Sequence, residues 1–378
     1  MNARSAETMH VIIIGSAGGQ DTLDSLRQDL PETGIVPLSC PDPGSLAHVL
    51  RPLSAGTRVL LLRAGDRVEP GYLASLAQHG SGDAVGTLLT STVTIRPDGA
   101  RDDRLQWRFK HGSRSADLTA EPYIFPDTIS GVVLTVPRRG MSDWGGLGPL
   151  RGIEDTDGAN GSDENAGLSG LIAHIVDTGN RVGLHDGPAV VHHATSPPGA
   201  WGKIEHYRHL LGTLLPAWLQ ADSPPPAWVY QLVIHRLIQV TEADRGLRFP
   251  SARLTVAERA EVAQLLRSVT RHVPAAQIEA YCSTPLAVGR RTALTALAAG
   301  PMPAPILPSA RRFRSDQKAT YFFTGALPAE QWKVDGSWAS PTSAKTVDHR
   351  YFDEVVLHER IVWLPKGEIT AVINGQEL

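Results

Sequence analysis

The amino-acid sequence predicts an α/β domain with a mostly parallel sheet, followed by a helical segment and a small β module. Over residues 10–62, short apolar runs alternate with segments of helical periodicity, as in a sheet with crossover helices. From residue 200 apolar residues recur at helical spacing, and after a proline-rich stretch the chain turns to short β-type runs. We therefore expect a disordered start at 1–9, a sheet domain over 10–199, a helical domain over 200–299, a linker over 300–308 and a β module over 309–378.

The composition is that of a globular protein. Hydrophobic residues make up 42% of the 378 residues and charged residues 20%. A formal net charge of −3 gives no reason to expect a nucleic-acid partner. No apolar run reaches the length of a membrane span, and Cys40 and Cys282 form no metal-binding spacing. We expect buried thiols and a cytoplasmic protein, with peripheral contact at the inner face of a membrane left open.

The first five elements alternate between strand and helix. Apolar runs at His10–Gly15, Ile35–Cys40 and 58–62 predict three strands. Gln20–Leu30 places its leucines on one helical face, and a second helix begins at Asp42, a good capping residue followed by proline. This order is typical of parallel strands joined by right-handed crossovers.

The end of the third strand is the main candidate for a binding site, and the other candidate site residues are considered relative to it. Val59–Leu62 is apolar throughout, as expected of a strand buried on both faces. Arg63 and Asp66 follow it, and Pro70 then marks a place where a helix can begin. In an open α/β sheet, ligands bind beyond the carboxyl ends of the strands. Arg63 and Asp66 are therefore predicted to lie at the binding site.

A glycine-rich turn follows the first strand. Ser16 lies within Gly15–Gly19, where exposed backbone amides would suit a phosphate. The turn matches neither the dinucleotide fingerprint nor the P-loop, so a plain strand-to-helix turn is the alternative.

Further apolar runs are predicted to complete the sheet: Val85–Leu89, Thr92–Ile95, Ile129–Val136, Val182–Leu184 and Pro188–Val191. Arg138 and Arg139 come directly after one of them, where they would either meet phosphate or lie in solvent. His192 and His193 follow the last run, and neighbours in an extended chain point to opposite sides. Either one of them faces the cleft, or both are satisfied polar groups at a strand end.

A long aperiodic segment, Ser142–Gly161, is typical of a mobile loop over a site. Asp155 and Asp157 within it form either a solvated acidic surface or a displaced metal motif. A helix is predicted directly after the loop, over Asp163–Thr178, and acids in its first turn would favour its dipole.

The last part of the sequence is helical and then β-rich. Thr255 and Glu258 form a capping box ahead of an apolar helical stripe. After the linker, strands are predicted at Ala319–Phe323, Val355–Leu364 and Ile369–Ile373, as in a small antiparallel sandwich. This module carries no catalytic constellation, so we expect it to serve interaction or homo-oligomerisation.

The chain resembles glycosyltransferase family 2, whose catalytic domain has the GT-A fold. The resemblance rests on the turn Arg63–Asp66 and on the stretches Trp201–Arg208, Trp228–Arg236 and Gln277–Ala280. These stretches look like the helical part of actinobacterial wall teichoic-acid-type glycosyltransferase modules, which are found fused to CDP-glycerol glycerophosphotransferases. The similarity of order and spacing covers roughly residues 10–300.

The resemblance implies a donor site. In the family, the third strand ends in an Asp-x-Asp-Asp turn that holds a divalent metal and a sugar nucleotide. Here Arg63 and Gly65 occupy the metal positions, so a Mg²⁺ or Mn²⁺ site does not carry over, and Asp66 alone remains. A UDP-sugar is the donor that the resemblance implies, contacted by Arg63 and Asp66, with Ser16 near the uridine and Asp42 either at the nucleoside or only capping its helix.

The resemblance also implies a general base and an acceptor site. The family's helix opens with a Glu-Asp pair whose aspartate accepts the acceptor's proton, and the matching residues here are Glu164 and Asn165. An amide cannot accept that proton, so Glu164 or Asp163 would have to replace it, unless both serve only the helix dipole. The residues expected near the acceptor are Arg138, Arg139, Trp144 and His192.

Two functions follow from this resemblance. One is transfer of a sugar from a nucleotide-sugar donor to a hydroxyl of a cell-wall polyol-phosphate or related glycan. The other is a catalytically silent homologue that binds glycan or acts as a scaffold for an active partner.

Overall fold

The computed structural model describes residues 10–15, 19–29, 36–40, 46–78, 86–95, 99–103, 105–136, 163–193, 199–220, 224–244, 250–300, 306–312 and 316–377. Within these ranges no helix is both long enough and apolar enough to cross a membrane. The chain divides into two units, residues 1–236 and 237–378, and each is described by itself. The domain boundaries expected from the sequence stay predictions.

The first unit is built on one mixed sheet. Its strands in the described part of the chain are β1 (His10–Ile14), β2 (Val36–Cys40), β3 (Arg58–Arg63), β4 (Arg67–Val68), β5 (Thr87–Ile95), β6 (Arg101–Asp102), β7 (Arg114–Asp117), β8 (Val132–Thr135) and β9 (Arg181–His193). The main path has the order β2-β1-β3-β8-β5-β9-β4. Strands β2, β1, β3, β5 and β9 share one direction, whereas β8 and β4 run against them. The mostly parallel α/β sheet is thus confirmed, with an antiparallel strand in its centre.

Helices cover the sheet. They are α1 (Gly19–Asp29), α2 (Leu46–Leu50), α3 (Tyr72–Gln78) and α4 (Asp163–Asp177). Leu26 of α1 and Tyr72, Leu73 and Leu76 of α3 pack on a core that contains Val11, Ile13, Leu60, Leu62, Val133 and Val190. This packing holds the turn after β3 in place, because α1 contacts the turn through Thr22 and α3 follows the turn in sequence.

A helical run continues the first unit. It consists of α5 (Ile204–Tyr207), a π-helical segment at Arg208–Leu214, α6 (Leu215–Leu219) and α7 (Ala227–Ala243), with the unit boundary inside α7. Two indole groups fasten it: Trp218 donates to Ser169 Oγ at 2.8 Å, and Trp228 donates to Asn180 Oδ1 at 2.9 Å.

Two strand predictions were too short. The separate runs Val85–Leu89 and Thr92–Ile95 form one strand, β5, and the runs at 182–184 and 188–191 form one strand, β9. Between the pairs Thr90↔His185 and Thr92↔Val190 the register shifts, so β9 carries an irregularity there. Gly187 and Pro188 suggested a break, but Ala189 keeps β9 attached by donating to Glu69 Oε2 at 2.7 Å.

The second unit combines helices with two antiparallel sheets. Its helices are α8 (Val256–Thr270), α9 (Ala275–Glu279) and α10 (Val288–Ala299), and the predicted capping box at Thr255 and Glu258 is present. Its strands are β10 (Ile306–Arg312), β11 (Asp316–Phe323), β12 (Glu330–Val334), β13 (Ser337–Ala339), β14 (Ser343–Tyr351), β15 (Glu354–Pro365), β16 (Ile369–Ile373) and β17 (Gln376–Glu377).

The predicted antiparallel module is confirmed. Sheets of order β10-β11-β15-β14 and β13-β12-β16-β17 enclose a core of Ala319, Tyr321, Phe323, Trp332, Val334, Val362, Leu364, Ala371 and Ile373. Of the predicted linker, residues 306–308 belong to β10, and residues 301–305 lie outside the described residues.

The prediction of two buried thiols is wrong for Cys282, which is exposed in the chain segment after α9. The side chain of Cys40 lies outside the described residues.

Candidate functional site

The turn after β3 buries a carboxylate. Asp66 is only 1% exposed, although it lies between a strand and a two-residue strand at the sheet's carboxyl edge. Gly65 precedes it with a φ of 92°, a left-handed conformation that glycine adopts at little cost. Thr22 of α1 holds the turn, since its Oγ1 accepts from the Gly65 N–H at 2.9 Å. A buried carboxylate requires partners, and the turn is built to supply them.

Two side chains from distant strands meet the Asp66 carboxylate. Ser130, just before β8, donates its hydroxyl to Oδ2. His192 Nδ1 lies 2.7 Å from Oδ1. Because an ionised carboxylate can only accept, this contact fixes the proton of the His192 ring on Nδ1 and leaves Nε2 as the other nitrogen.

The sheet's strand directions explain this meeting. β3 and β9 share one direction, so Arg63 at the end of β3 and His192 near the end of β9 lie at the same edge. The antiparallel β8 begins at that edge and brings Ser130 there, where its Oγ also accepts from the Arg63 N–H at 3.3 Å. Carboxyl ends of parallel strands are the usual ligand-binding side of such sheets.

These side chains do not fit a divalent metal. Mg²⁺ and Mn²⁺ require several oxygen ligands, usually including a carboxylate oxygen that is free to coordinate. Both oxygens of Asp66 are already hydrogen-bonded, and the neighbouring positions hold a guanidinium, Arg63, and a residue without a side chain, Gly65. No group of three or more His, Cys, Asp or Glu residues with metal-binding geometry occurs in the described part of the chain.

A second buried ionic cluster lies on the chain segment that leads to Ser130. Arg108 is 4% exposed and donates to Asp127 Oδ1 at 2.9 Å, while Arg236 donates to the Asp127 carbonyl at 2.5 Å. Burial acts to raise the pKa of Asp127, but the charges of Arg108, His235 and Arg236 outweigh it and hold that pKa below its usual value. Asp127 therefore stays ionised, and the segment up to Ser130 is held in place.

A half-buried histidine, His206, lies in the helical run. Burial, with smaller contributions from His209 and Arg236, lowers the pKa of His206 to about 4. The ring contacts Trp201 edge-on, with centroids 4.5 Å apart. His206 is thus neutral at ordinary pH.

The structure brings some predicted site residues together. Arg63, Asp66 and His192 share the carboxyl edge. Asp163 and Glu164 form the first turn of α4, and only their backbone is described. The remaining candidates lie outside the described residues: Ser16, Asp42, Arg138, Arg139 and Trp144, together with the loop Ser142–Gly161.

Ser130 and Thr22 were not identified as site residues from the sequence. A serine near the start of an apolar run and a threonine inside a helical pattern are both common, so neither has a signal of its own. The one available signal was geometric: Ser130 is the second residue of the predicted strand Ile129–Val136, and an antiparallel strand would start at the ligand-binding edge.

The second unit contains a cavity of about 210 Å³. Its basic lining residues are Arg267, Arg271 and His358. Arg267 is paired with Glu354, and His358 Nδ1 lies 2.9 Å from Asp348 Oδ1. Arg267 and Arg271 also belong to the end of α8, where cations favour the helix dipole, and this accounts for their presence.

Comparison with known proteins gives structural neighbours only. No family model matches the chain, and no curated protein matches it in sequence. Residues 1–349 of TarS from S. aureus, in complex with UDP-GlcNAc, give a TM-score of 0.46 at 12% identity, covering 77% of this chain and 87% of that one. Another TarS structure gives 0.45 at 10% identity, covering 98% and 77%.

A third neighbour is GalNAc-T7 with UDP, GalNAc and Mn²⁺, with a TM-score of 0.28 at 11% identity, covering 70% of this chain and 55% of that one. With such scores these likenesses carry no argument about the chemistry of this chain.

Proposed function

We propose that this protein is a glycosyltransferase-like protein that binds a nucleotide-sugar donor at the carboxyl edge of its sheet. The resemblance of the sequence to glycosyltransferase family 2 supports it. The observation that carries it is the contact between Asp66 and His192, at the same sheet edge as Arg63, where ligands of α/β sheets bind. The acceptor in this proposal is a hydroxyl of a cell-wall polyol-phosphate or related glycan.

Each residue has a distinct part in the proposal. Arg63 meets the donor's diphosphate through charge-assisted hydrogen bonds. Asp66 contacts no ligand, since Ser130 and His192 take its carboxylate; it positions His192 instead. Glu164 or Asp163, at the start of α4, would accept the proton of the attacking hydroxyl.

The second candidate function is a catalytically silent homologue that binds glycan or acts as a scaffold. The position of the family's general base holds Asn165, which cannot accept a proton. Assembly of homo-oligomers through residues 309–378 suits either function and stays a prediction.

Titration calorimetry with a panel of UDP-sugars, with and without Mn²⁺, tests the donor site. We expect at least one UDP-sugar to bind and free uridine to bind more weakly, because uridine lacks the diphosphate. Release of UDP in the presence of polyol-phosphate polymer then separates the enzyme from the silent homologue. If no UDP-sugar binds under any metal condition, the proposed donor site is wrong.

A further inference from the structure

We propose, resting on the donor site above, that a nucleotide diphosphate binds at this edge without a divalent cation, and that Arg63 and His192 supply the positive charge. The inference starts from the disagreement between the metal-binding turn of the resembling family and the side chains found here.

Both carboxylate oxygens of Asp66 are already hydrogen-bonded. To coordinate a cation, this carboxylate would have to release the Ser130 hydroxyl or the His192 ring. Asp66 is 1% exposed, so a hydroxyl or imidazole N–H that it released would be left without its hydrogen-bond acceptor beside a buried group, which costs free energy. Arg63, three residues earlier, would in addition repel the incoming ion.

His192 is partly exposed to solvent. Its side chain is 33% exposed, in contrast to the carboxylate that it contacts. Nδ1 is engaged by Asp66, and among the described residues no hydrogen bond reaches Nε2. A protonated His192 would therefore present its Nε2–H to solvent at the strand end, where a phosphate oxygen could accept it.

The balance of charge also bears on the diphosphate. A divalent ion brings two positive charges to a diphosphate. Arg63 and a protonated His192 would also bring two, at the carboxyl ends of their strands, and the charge of Asp66 offsets one of them, so these side chains supply part of the charge that an ion would supply. Asp66 is buried beside His192 and orients its ring, as a carboxylate orients imidazole in catalytic dyads.

UDP binding by the full chain, freed of metals with chelator, tests the inference by calorimetry. We expect the affinity for UDP to differ by less than about 2-fold between excess EDTA and millimolar Mn²⁺, because UDP binding needs no bond to the ion. His192→Gln and Arg63→Gln should each weaken UDP binding about 10- to 100-fold, the size expected of one charge-assisted hydrogen bond.

Two further variants act as controls. His111→Gln removes an exposed histidine of the same unit and should leave UDP affinity unchanged. Arg63→Lys keeps the charge but loses the planar fork, and should fall between wild type and Arg63→Gln. Far-UV circular dichroism of each variant confirms that it is folded.

The outcomes separate the inference from the function on which it rests. If UDP binds only with Mn²⁺, or if His192→Gln binds UDP as tightly as wild type in chelator, the inference is overturned while the donor site stands. Failure of both UDP and all UDP-sugars to bind, with and without Mn²⁺, overturns the proposed donor site and the inference with it.

Discussion

A buried carboxylate in the first unit, Asp66, and a partly buried one in the second, Glu330, have different surroundings. Asp66 in the first unit is bound by Ser130 and His192. Glu330 in the second is bound by Arg360, whose Nη2 lies 2.6 Å from Oε1, and by Tyr321, whose hydroxyl donates to Oε2 at 2.7 Å. Both carboxylates thus have two side-chain partners.

The partners differ in what they leave open. Arg360 and Glu330 have side-chain exposures of 16% and 14%, and the Arg360 Nε–H also donates to Glu330. His192 is 33% exposed and has an Nε2 without a recorded bond in the described residues. Arg360, Glu330 and Tyr321 hydrogen-bond one another and stabilise the sandwich. In the cluster of Asp66, Ser130 and His192, the His192 Nε2 atom is directed towards solvent. This difference favours a structural role for the first and a binding role for the second.

The largest expected effect comes from breaking the sandwich pair. Arg360→Leu leaves Glu330 with Tyr321 alone and should lower the free energy of unfolding of the second unit by about 3 kcal/mol or more, because one buried charge loses its counter-charge. Denaturant titration of the full chain measures it, and UDP affinity should not change. Arg350→Leu, which removes an exposed pair with Asp348 in the same module, should cost less than about 1 kcal/mol. Equal losses for the two variants would contradict the assignment.

A second test concerns His206 of the first unit, with His272 of the second unit as its control. His206 is half-buried, and burial lowers its pKa to about 4 from the ordinary 6.5. The unfolded chain therefore takes up a proton that the folded chain refuses, and stability present above pH 6.5 falls as the pH is lowered towards 4. The loss should be about 2–3 kcal/mol, because each pKa unit corresponds to about 1.4 kcal/mol.

His206→Gln should remove that part of the acid dependence between pH 7 and 4.5, as measured by denaturant unfolding at each pH. His272→Gln, at an exposed histidine, should retain it. The same slope in wild type and His206→Gln would show that His206 is not the group that titrates.

The smallest expected effect is at Ser130. Ser130→Ala removes the hydroxyl from Asp66 Oδ2 and from the Arg63 N–H, and should lower the free energy of unfolding by about 1–2 kcal/mol while the His192 contact remains. Ser113→Ala, whose hydroxyl accepts only from the exposed Asp186 N–H, should cost under about 0.5 kcal/mol. A loss at Ser130 as small as that at Ser113 would mean that Asp66 does not depend on the serine.

Local pattern was sufficient to predict β1, β2 and β3, whereas the short strands β4, β6 and β7 were not predicted. The apolar run Val59–Leu62 is buried as expected, and the rule for strand ends correctly brought Arg63 and Asp66 to the carboxyl edge. The antiparallel direction of β8 was not predictable, because a four-residue apolar run carries no information about direction.

The partners of Asp66 were also beyond the sequence. The carboxylate is bound by Ser130, which comes just before β8, and by His192 of β9. Which strand ends meet depends on the order β3-β8-β5-β9, and that order is set by packing of the whole sheet. The position of His192 after an apolar run therefore predicted that it lies at the carboxyl edge of the sheet, but it could not predict that Asp66 is its partner.

The hydrogen bond between Asp66 and His192 joins residues 126 positions apart. During synthesis, β1 to β5 can emerge and begin to fold long before β9 leaves the ribosome, since the chain grows from its amino terminus. Closing so long a loop is slow compared with forming local helices. A nascent chain that stops short of β9 therefore has Asp66 without its histidine partner.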